Sequence, residues 1–138
     1  MKKYKLYLDD IRDPSACLHY MFGRIGNAAS IYGEHWIIVR DYEQFTEYIT
    51  NHGLPEYVSF DHDLAPEHYT PEEFWESFEK SKKYQDQMVY KEKTGADCAH
   101  WLRDYCYNNN LKLPKCLIHS MNPVGSENIK NILNGKSR

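Results

Sequence analysis

The chain has 138 residues, of which 41% are hydrophobic and 27% charged, and a formal net charge of −3 at neutral pH. This length predicts a single soluble globular domain, and the weak negative charge gives no reason for strong general nucleic-acid binding. No apolar run approaches the ~20 residues of a membrane span, and no signal-peptide core follows the first residues. We therefore expect a cytoplasmic protein without membrane association.

The four cysteines are widely spaced and form no C-x-x-C pair, so we expect free thiols rather than disulfides. A zinc site that uses Cys116 and His119 is an alternative. It is disfavoured because Cys116 opens an apolar strand, where a small buried residue is typical.

The first half of the chain predicts strands that alternate with helices. A first strand spans residues 4–8, and a short helix around 15–22 is followed by a loop that contains Gly23, Gly26 and Gly33. A second strand, 36–39, precedes a helix with Asp41 as its N-cap, which ends near Gly53. The third strand is predicted over 57–60.

Residues 65–92 are interpreted as an insertion after this third strand. They contain Thr70-Pro71-Glu72-Glu73, a capping box with proline at the first helical position, which predicts a helix. This segment comes soon after the end of the third strand, which is central in the predicted sheet. It is therefore either a lid over a site there or a packed surface helix.

The last third of the chain continues the alternation. Thr94 begins a helix that ends at 108–110, a fourth strand covers 116–118, and a last helix runs from about 124 to 133. Strands that alternate with helices predict βα units in a mainly parallel sheet with helices on both faces. We expect one domain, 1–138, with the strand order 2-1-3-4.

Polar side chains follow three of the four predicted strands. They are Asp9 and Asp10 after the first strand, Asp61, His62 and Asp63 after the third, and His119 and Ser120 after the fourth. Since parallel strands end at one edge of a sheet, we expect these side chains to line one crevice. Carboxylates in a partly desolvated cleft repel each other unless a cation or a proton intervenes, and Mg²⁺ with oxygen ligands is a natural partner.

The histidines and arginines near these strand ends each have two interpretations. His62 and His119 are either proton donors and acceptors at a phosphate ester or hydrogen-bonded structural residues. Arg12 and Arg40 either meet an oxyanion or pair with nearby aspartates, and Arg12 is the preferred anion ligand.

The start of the last helix is a candidate anion site, because free N–H groups and the helix dipole face an incoming ligand there. The residues around it are Asn122, Gly125, Ser126 and Asn128. Simple capping of the helix by Asn122 is the alternative interpretation.

Four stretches together resemble one family, the cyclic-phosphate-processing receiver-like domains. They are Leu8–Pro14 (LDDIRDP), Ser59–Leu64 (SFDHDL), Gly95–Leu102 (GADCAHWL), and His119–Gly125 (HSMNPVG) with Asn128-Ile129. The resemblance leaves out roughly residues 15–34 and 65–92.

This family is a divergent relative of two-component receivers, so the resemblance implies a flavodoxin/receiver-like three-layer α/β/α sandwich. By analogy with receivers, Asp9 and Asp10 match the metal-binding acidic pair, Asp61 the phospho-acceptor position and Ser120 the switch hydroxyl. The receiver's fifth strand and its lysine have no match in this sequence. His62, Asp63 and His119 have no receiver counterpart, which favours hydrolysis over signalling.

The leading hypothesis is a metal-assisted phosphoesterase that acts on a cyclic phosphate at an RNA 3′ end or on a nucleotide. Its expected metal ligands for Mg²⁺ or Mn²⁺ are Asp9, Asp10 and Asp61; its catalytic residues are His119, His62 and Asp63; and its substrate-binding residues are Arg12, Ser120, Asn122, Gly125 and Asn128. The alternative is a receiver-like signalling or phosphate-binding module without hydrolytic activity. A structural interaction protein is a third hypothesis, but it leaves the clustered carboxylates unexplained.

Overall fold

The computed structural model describes residues 3–64, 77–80, 82 and 93–135. Its four strands form one parallel sheet with the order β2-β1-β3-β4. The strands are β1 (Lys5–Leu8), β2 (Ile37–Val39), β3 (Tyr57–Phe60) and β4 (Lys115–Ile118). The predicted parallel sheet and its order are confirmed. The capping box at 70–73, and with it the predicted insertion helix, lies outside the described residues.

Helices cover both faces of the sheet, which gives the three-layer architecture of a receiver-like fold. They are α1 (Pro14–Ile25), α2 (Tyr42–His52), α3 (Gly95–Asn108) and α4 (Pro123–Leu133). Successive side chains of a strand point to opposite faces. Accordingly, Leu6 and Leu8 of β1 join a core with residues of α2, α3 and α4, whereas Tyr7 joins a second core with residues of α1.

Side-chain caps fix where three of the helices begin. Asp41 accepts the N–H of Gln44 at 2.8 Å, and Thr94 and Asp97 form a reciprocal capping box at the start of α3. Asn122 accepts the N–H of Gly125 at 3.0 Å at the start of α4. The predicted cap at Asp41 and the predicted start of α3 are confirmed.

The loop predicted after residue 22 is wrong. Helix α1 continues to Ile25, and Gly26–Gly33 forms a 3₁₀ segment. Gly26, with a φ of 61°, ends α1, which accounts for the break that the glycines indicate. Ala29 and Tyr32 of the 3₁₀ segment are buried in the same core as Tyr7, so packing against the sheet orders a stretch that composition alone assigns to a loop.

Within the described part of the chain, no helix is long and apolar enough to cross a membrane.

Candidate functional site

Three strands of the sheet deliver polar side chains to one place at its carboxyl edge. The parallel pairing continues one residue past the strands, because the Asp61 N–H bonds to Leu8 O at 2.9 Å and the His119 N–H to Phe60 O at 3.0 Å. Asp9, Asp61 and His119 are buried, and their potential ligand atoms all lie within 4.8 Å of one another. We call these three residues the acidic-histidine cluster. Asp10 is half-buried and lies outside it.

Asp9 is the hydrogen-bonding centre of the cluster. Its Oδ1 accepts the backbone N–H groups of Ile11 at 3.0 Å and Arg12 at 2.8 Å, and its Oδ2 accepts Arg12 Nε at 3.0 Å. Burial alone would raise the pKa of Asp9, but the hydrogen bonds from His119 and from these two N–H groups outweigh it and lower the pKa to about 2. Asp9 is therefore a buried carboxylate at neutral pH.

Asp61 has the opposite protonation behaviour. Burial, and then the negative charge of Asp9, raise the pKa of Asp61 to about 8. The Arg12 guanidinium, 3.6 Å from Asp61 Oδ1, offsets this rise only in part. Without a further cation, Asp61 therefore carries a proton at neutral pH, and a bound cation would displace it.

His119 is held inside the protein by contacts on every side. Its ring stacks on Tyr7 with centroids 4.3 Å apart, Nε2 lies 3.1 Å from Asp9 Oδ2, and Nδ1 lies 2.6 Å from Ser59 Oγ. Tyr32 extends this chain with its hydroxyl 2.6 Å from Ser59 Oγ. Burial lowers the pKa of His119. Because the ionised Asp9 can only accept, Nε2 carries the proton of the neutral ring and Nδ1 accepts from Ser59.

His62 and Asp63 form a second buried pair beside the cluster. His62 Nδ1 lies 2.8 Å from Asp63 Oδ1, and Asn122 Nδ2 donates to the same oxygen at 3.1 Å. The His62 ring lies against Gly125, where an added Cβ would stand 2.3 Å from the imidazole Cγ. The carboxylate and the glycine thus fix one orientation of the ring.

The start of α4 is capped by its own chain. Asn122 makes the capping bond, as in the alternative interpretation, and its N–H donates to Ser120 Oγ at 3.1 Å. Ser120 is buried, and Asn128 is half-buried in the second turn of α4. Gly125, predicted as part of an anion site, makes room for His62.

Helix α1 supplies a side of the site that sequence patterns did not indicate. Tyr20 accepts Arg12 Nη1 at 3.0 Å and donates its hydroxyl to the carbonyl of His119 at 2.6 Å. Arg24 donates to the carbonyl of Ser120 at 2.9 Å. Sequence patterns also did not indicate that Tyr7, Ser59 and Tyr32 lie around His119, because the pattern of a strand or loop does not show which distant residues its side chains contact. The one available signal was Ser59, a small polar residue between two apolar positions of a buried strand.

Arg40 and Cys116 have structural contacts. Arg40 donates to the backbone carbonyls of Asp9 at 3.1 Å and Arg12 at 2.8 Å, and pairs with Asp13 at 3.0 Å, so it braces the loop after β1. Burial raises the pKa of Cys116 to about 12, which opposes the thiolate form that a zinc ligand needs.

The donor set of the cluster fits a hard divalent cation. Asp9 and Asp61 place carboxylate oxygens within 4.8 Å of each other, and the guanidinium beside them, that of Arg12, offsets the raised pKa of Asp61 only in part. Mg²⁺ commonly binds through one or two carboxylates and keeps several waters. The imidazole of His119 is a nitrogen donor of the kind that suits Zn²⁺ or Fe²⁺ rather than Mg²⁺ or Mn²⁺, and both of its nitrogens already make hydrogen bonds.

The 2-1-3-4 parallel sheet and the acidic residues at its carboxyl edge define a receiver-like α/β domain. Residues 4–135 match the family of cyclic-phosphate processing receiver domains, and the chain belongs to this family. The match confirms the resemblance drawn from the motifs and extends it over nearly the whole chain. No significant match was found among curated proteins or among solved structures. The protein is thus a receiver-like domain of cyclic-phosphate processing.

Proposed function

We propose that the protein is a phosphoesterase that opens a cyclic phosphodiester, such as a 2′,3′-cyclic phosphate on a nucleotide or at an RNA 3′ end. The observation that carries this proposal is the acidic-histidine cluster next to an oriented His62–Asp63 pair, in a chain of the cyclic-phosphate processing family. In the reaction, water adds to phosphorus and one ribose P–O bond breaks. One proton leaves the water and one reaches the departing ribose oxygen, which gives a phosphomonoester.

Asp9 and Asp61 would hold a divalent metal, Mg²⁺ or Mn²⁺. The predicted third ligand, Asp10, is half-buried and directly follows Asp9 in the loop after β1. When bound, such a metal supplies Lewis acidity at a phosphoryl oxygen and lowers the pKa of a bound water. Two buried carboxylates next to each other are costly unless a cation is present, and Arg12 neutralises mainly Asp9.

The His62–Asp63 pair is the better-placed acid–base group. Asp63 binds Nδ1, so proton exchange with a substrate would use Nε2 of a ring whose orientation is already fixed. A catalytic role for His119 stays a prediction. Its ring is buried, as is that of His62, but both of its nitrogens are hydrogen-bonded, so exchange with a substrate requires one of those bonds to open.

Turnover of nucleoside 2′,3′-cyclic monophosphates, with Mg²⁺ or Mn²⁺ and then with EDTA, tests this proposal. We expect hydrolysis that needs the metal and falls at least about 100-fold in His62→Ala and Asp61→Asn. Lys112→Gln, at a surface position on the loop before β4, is the control and should keep wild-type rates. Unchanged turnover in both site variants would refute the assignment.

The signalling alternative makes a different prediction for the same residue. A receiver-like module would form a stable adduct at Asp61 with acetyl phosphate or beryllofluoride. The sequence argues against this, because the receiver's lysine has no match in it and because His62, Asp63 and His119 have no receiver counterpart. Mass spectrometry of the intact protein after incubation with acetyl phosphate distinguishes the two: a stable increase of one phosphoryl group, absent in Asp61→Asn, would favour signalling.

A further inference from the structure

The arginine that the sequence predicts as the phosphate ligand is already occupied inside the protein. Arg12 donates from Nε to Asp9 and from Nη1 to Tyr20, and its Nη2 lies 3.6 Å from Asp61. Asp9 Oδ2, 3.0 Å from Arg12 Nε, forms an ion pair with this guanidinium. An incoming phosphate would therefore have to compete with a buried carboxylate for this guanidinium.

The other predicted anion donors are engaged too. The buried hydroxyl of Ser120 accepts the N–H of Asn122. Helix α4 begins with Pro123, which has no N–H, and the N–H of Gly125 is capped by the Asn122 side chain. The anion site expected at this helix start thus has few free donors.

Arg24 is a second arginine at the same edge of the site. Its side chain is exposed, Nη1 donates to the carbonyl of Ser120 at 2.9 Å, and its guanidinium carbon lies 5.3 Å from the centre of the Tyr20 ring. The Tyr20 hydroxyl is itself bonded to the carbonyl of His119. Two contacts therefore hold a solvent-facing guanidinium against the residues that end β4.

The charge of Arg24, unlike that of Arg12, has no carboxylate counterpart in the described ranges 3–64, 77–80, 82 and 93–135. A guanidinium has five N–H donors in a planar fork that matches two phosphate oxygens. We propose that Arg24 binds the phosphate of the substrate and approaches it from the α1 side of the site. This role rests on the cyclic-phosphate substrate proposed above and names a residue that binds it.

Binding measured without reference to turnover tests the proposal. Isothermal titration calorimetry of wild type, Arg24→Gln, Arg24→Lys and Lys130→Gln would use a nucleoside 2′,3′-cyclic monophosphate and the ring-opened nucleoside 3′-monophosphate. We expect Arg24→Gln to weaken the binding of both by about tenfold or more, and Arg24→Lys to recover part of the loss. Lys130→Gln removes the same charge in the last turn of α4, away from the site, and should stay within about twofold of wild type.

The outcomes separate this inference from the proposed function. If Arg24→Gln binds both nucleotides with wild-type affinity and the wild-type protein turns over the cyclic phosphate, the role of Arg24 is overturned and the proposed phosphoesterase activity is supported. Weakened binding in Arg24→Gln, with no turnover in wild type, would support Arg24 and refute hydrolysis. If wild type binds neither phosphate, both fall. Thermal unfolding of each variant verifies folding. If Arg24→Gln does not fold, Arg24→Lys decides the matter: affinity below that of wild type supports the role of Arg24, and wild-type affinity overturns it.

Discussion

Gly95 at the start of α3 is a position where one added methyl group should displace the backbone of the site. A Cβ added there would stand 1.8 Å from the carbonyl oxygen of Asp61, 2.8 Å from its carbon and 2.9 Å from the Cα of His62. Ordinary contacts between such atoms lie at about 3.5 Å. All three neighbours are backbone atoms, so no change of rotamer relieves the overlap, and the chain after β3 has to move.

The magnitude follows from what that movement breaks. The N–H of Gly95 donates to the carbonyl of His62 at 2.7 Å, a bond that contributes about 1 kcal/mol. Overpacking of a tight contact costs about 1–3 kcal/mol more. We predict that Gly95→Ala lowers the free energy of unfolding by about 2–4 kcal/mol. Since the shift displaces Asp61 and His62 together, any surviving folded protein should also lose metal-dependent turnover.

Urea denaturation of Gly95→Ala next to Gly23→Ala checks this reasoning. Gly23 lies within α1, and a Cβ added there meets no atom within 4 Å. Alanine at that position should therefore stabilise the protein by about 0.5–1 kcal/mol, because glycine is unfavourable inside a helix. A Gly95→Ala variant within about 0.5 kcal/mol of wild type would refute the close packing of α3 against the loop after β3.

Three further predictions concern the buried polar network. Asn122→Ala removes the cap of α4 and should cost about 1–2 kcal/mol by urea denaturation; a loss below about 0.5 kcal/mol would contradict the capping contact. Ser59→Ala leaves buried groups of Tyr32 and His119 without their partner and should cost about 1–3 kcal/mol, while Ser30→Ala at the surface stays neutral. The folded-state pKa of Asp9, about 2, lies below its ordinary value of 3.8, so its stabilising contribution is present above that value and is lost as the pH falls towards 2. With EDTA present, we expect this contribution of Asp9 to the free energy of unfolding of wild type to fall by about 2 kcal/mol between pH 6 and pH 2. The Asp9→Asn variant, unfolded at the same two pH values, should lack this part of the decrease.

The meeting of the strand ends was predictable because it follows from topology. Alternating strands and helices imply a parallel sheet, and a parallel sheet brings the residues after its strands to one edge. Asp9, Asp61 and His119 each follow their strand directly, so their proximity needs no side-chain information.

Which atom of the cluster contacts which partner was not predictable in the same way. The roles of Tyr20 and Arg24 depend on how α1 packs against the sheet, and the glycines there resemble a loop in sequence. The function of Gly125 depends on the position of the His62 ring, from a distant part of the chain. Contacts of this kind are set by tertiary packing, which local propensities do not encode.

The central claim is that this site opens a cyclic phosphate, and ³¹P NMR of the reaction is its most direct test. A nucleoside 2′,3′-cyclic monophosphate would be followed with the wild-type protein and Mg²⁺ or Mn²⁺, with EDTA as the control. We predict that the cyclic phosphate signal is replaced by that of a phosphomonoester in the presence of metal alone, and that His62→Ala prevents this. A cyclic phosphate signal that persists with wild type and either metal would contradict the account.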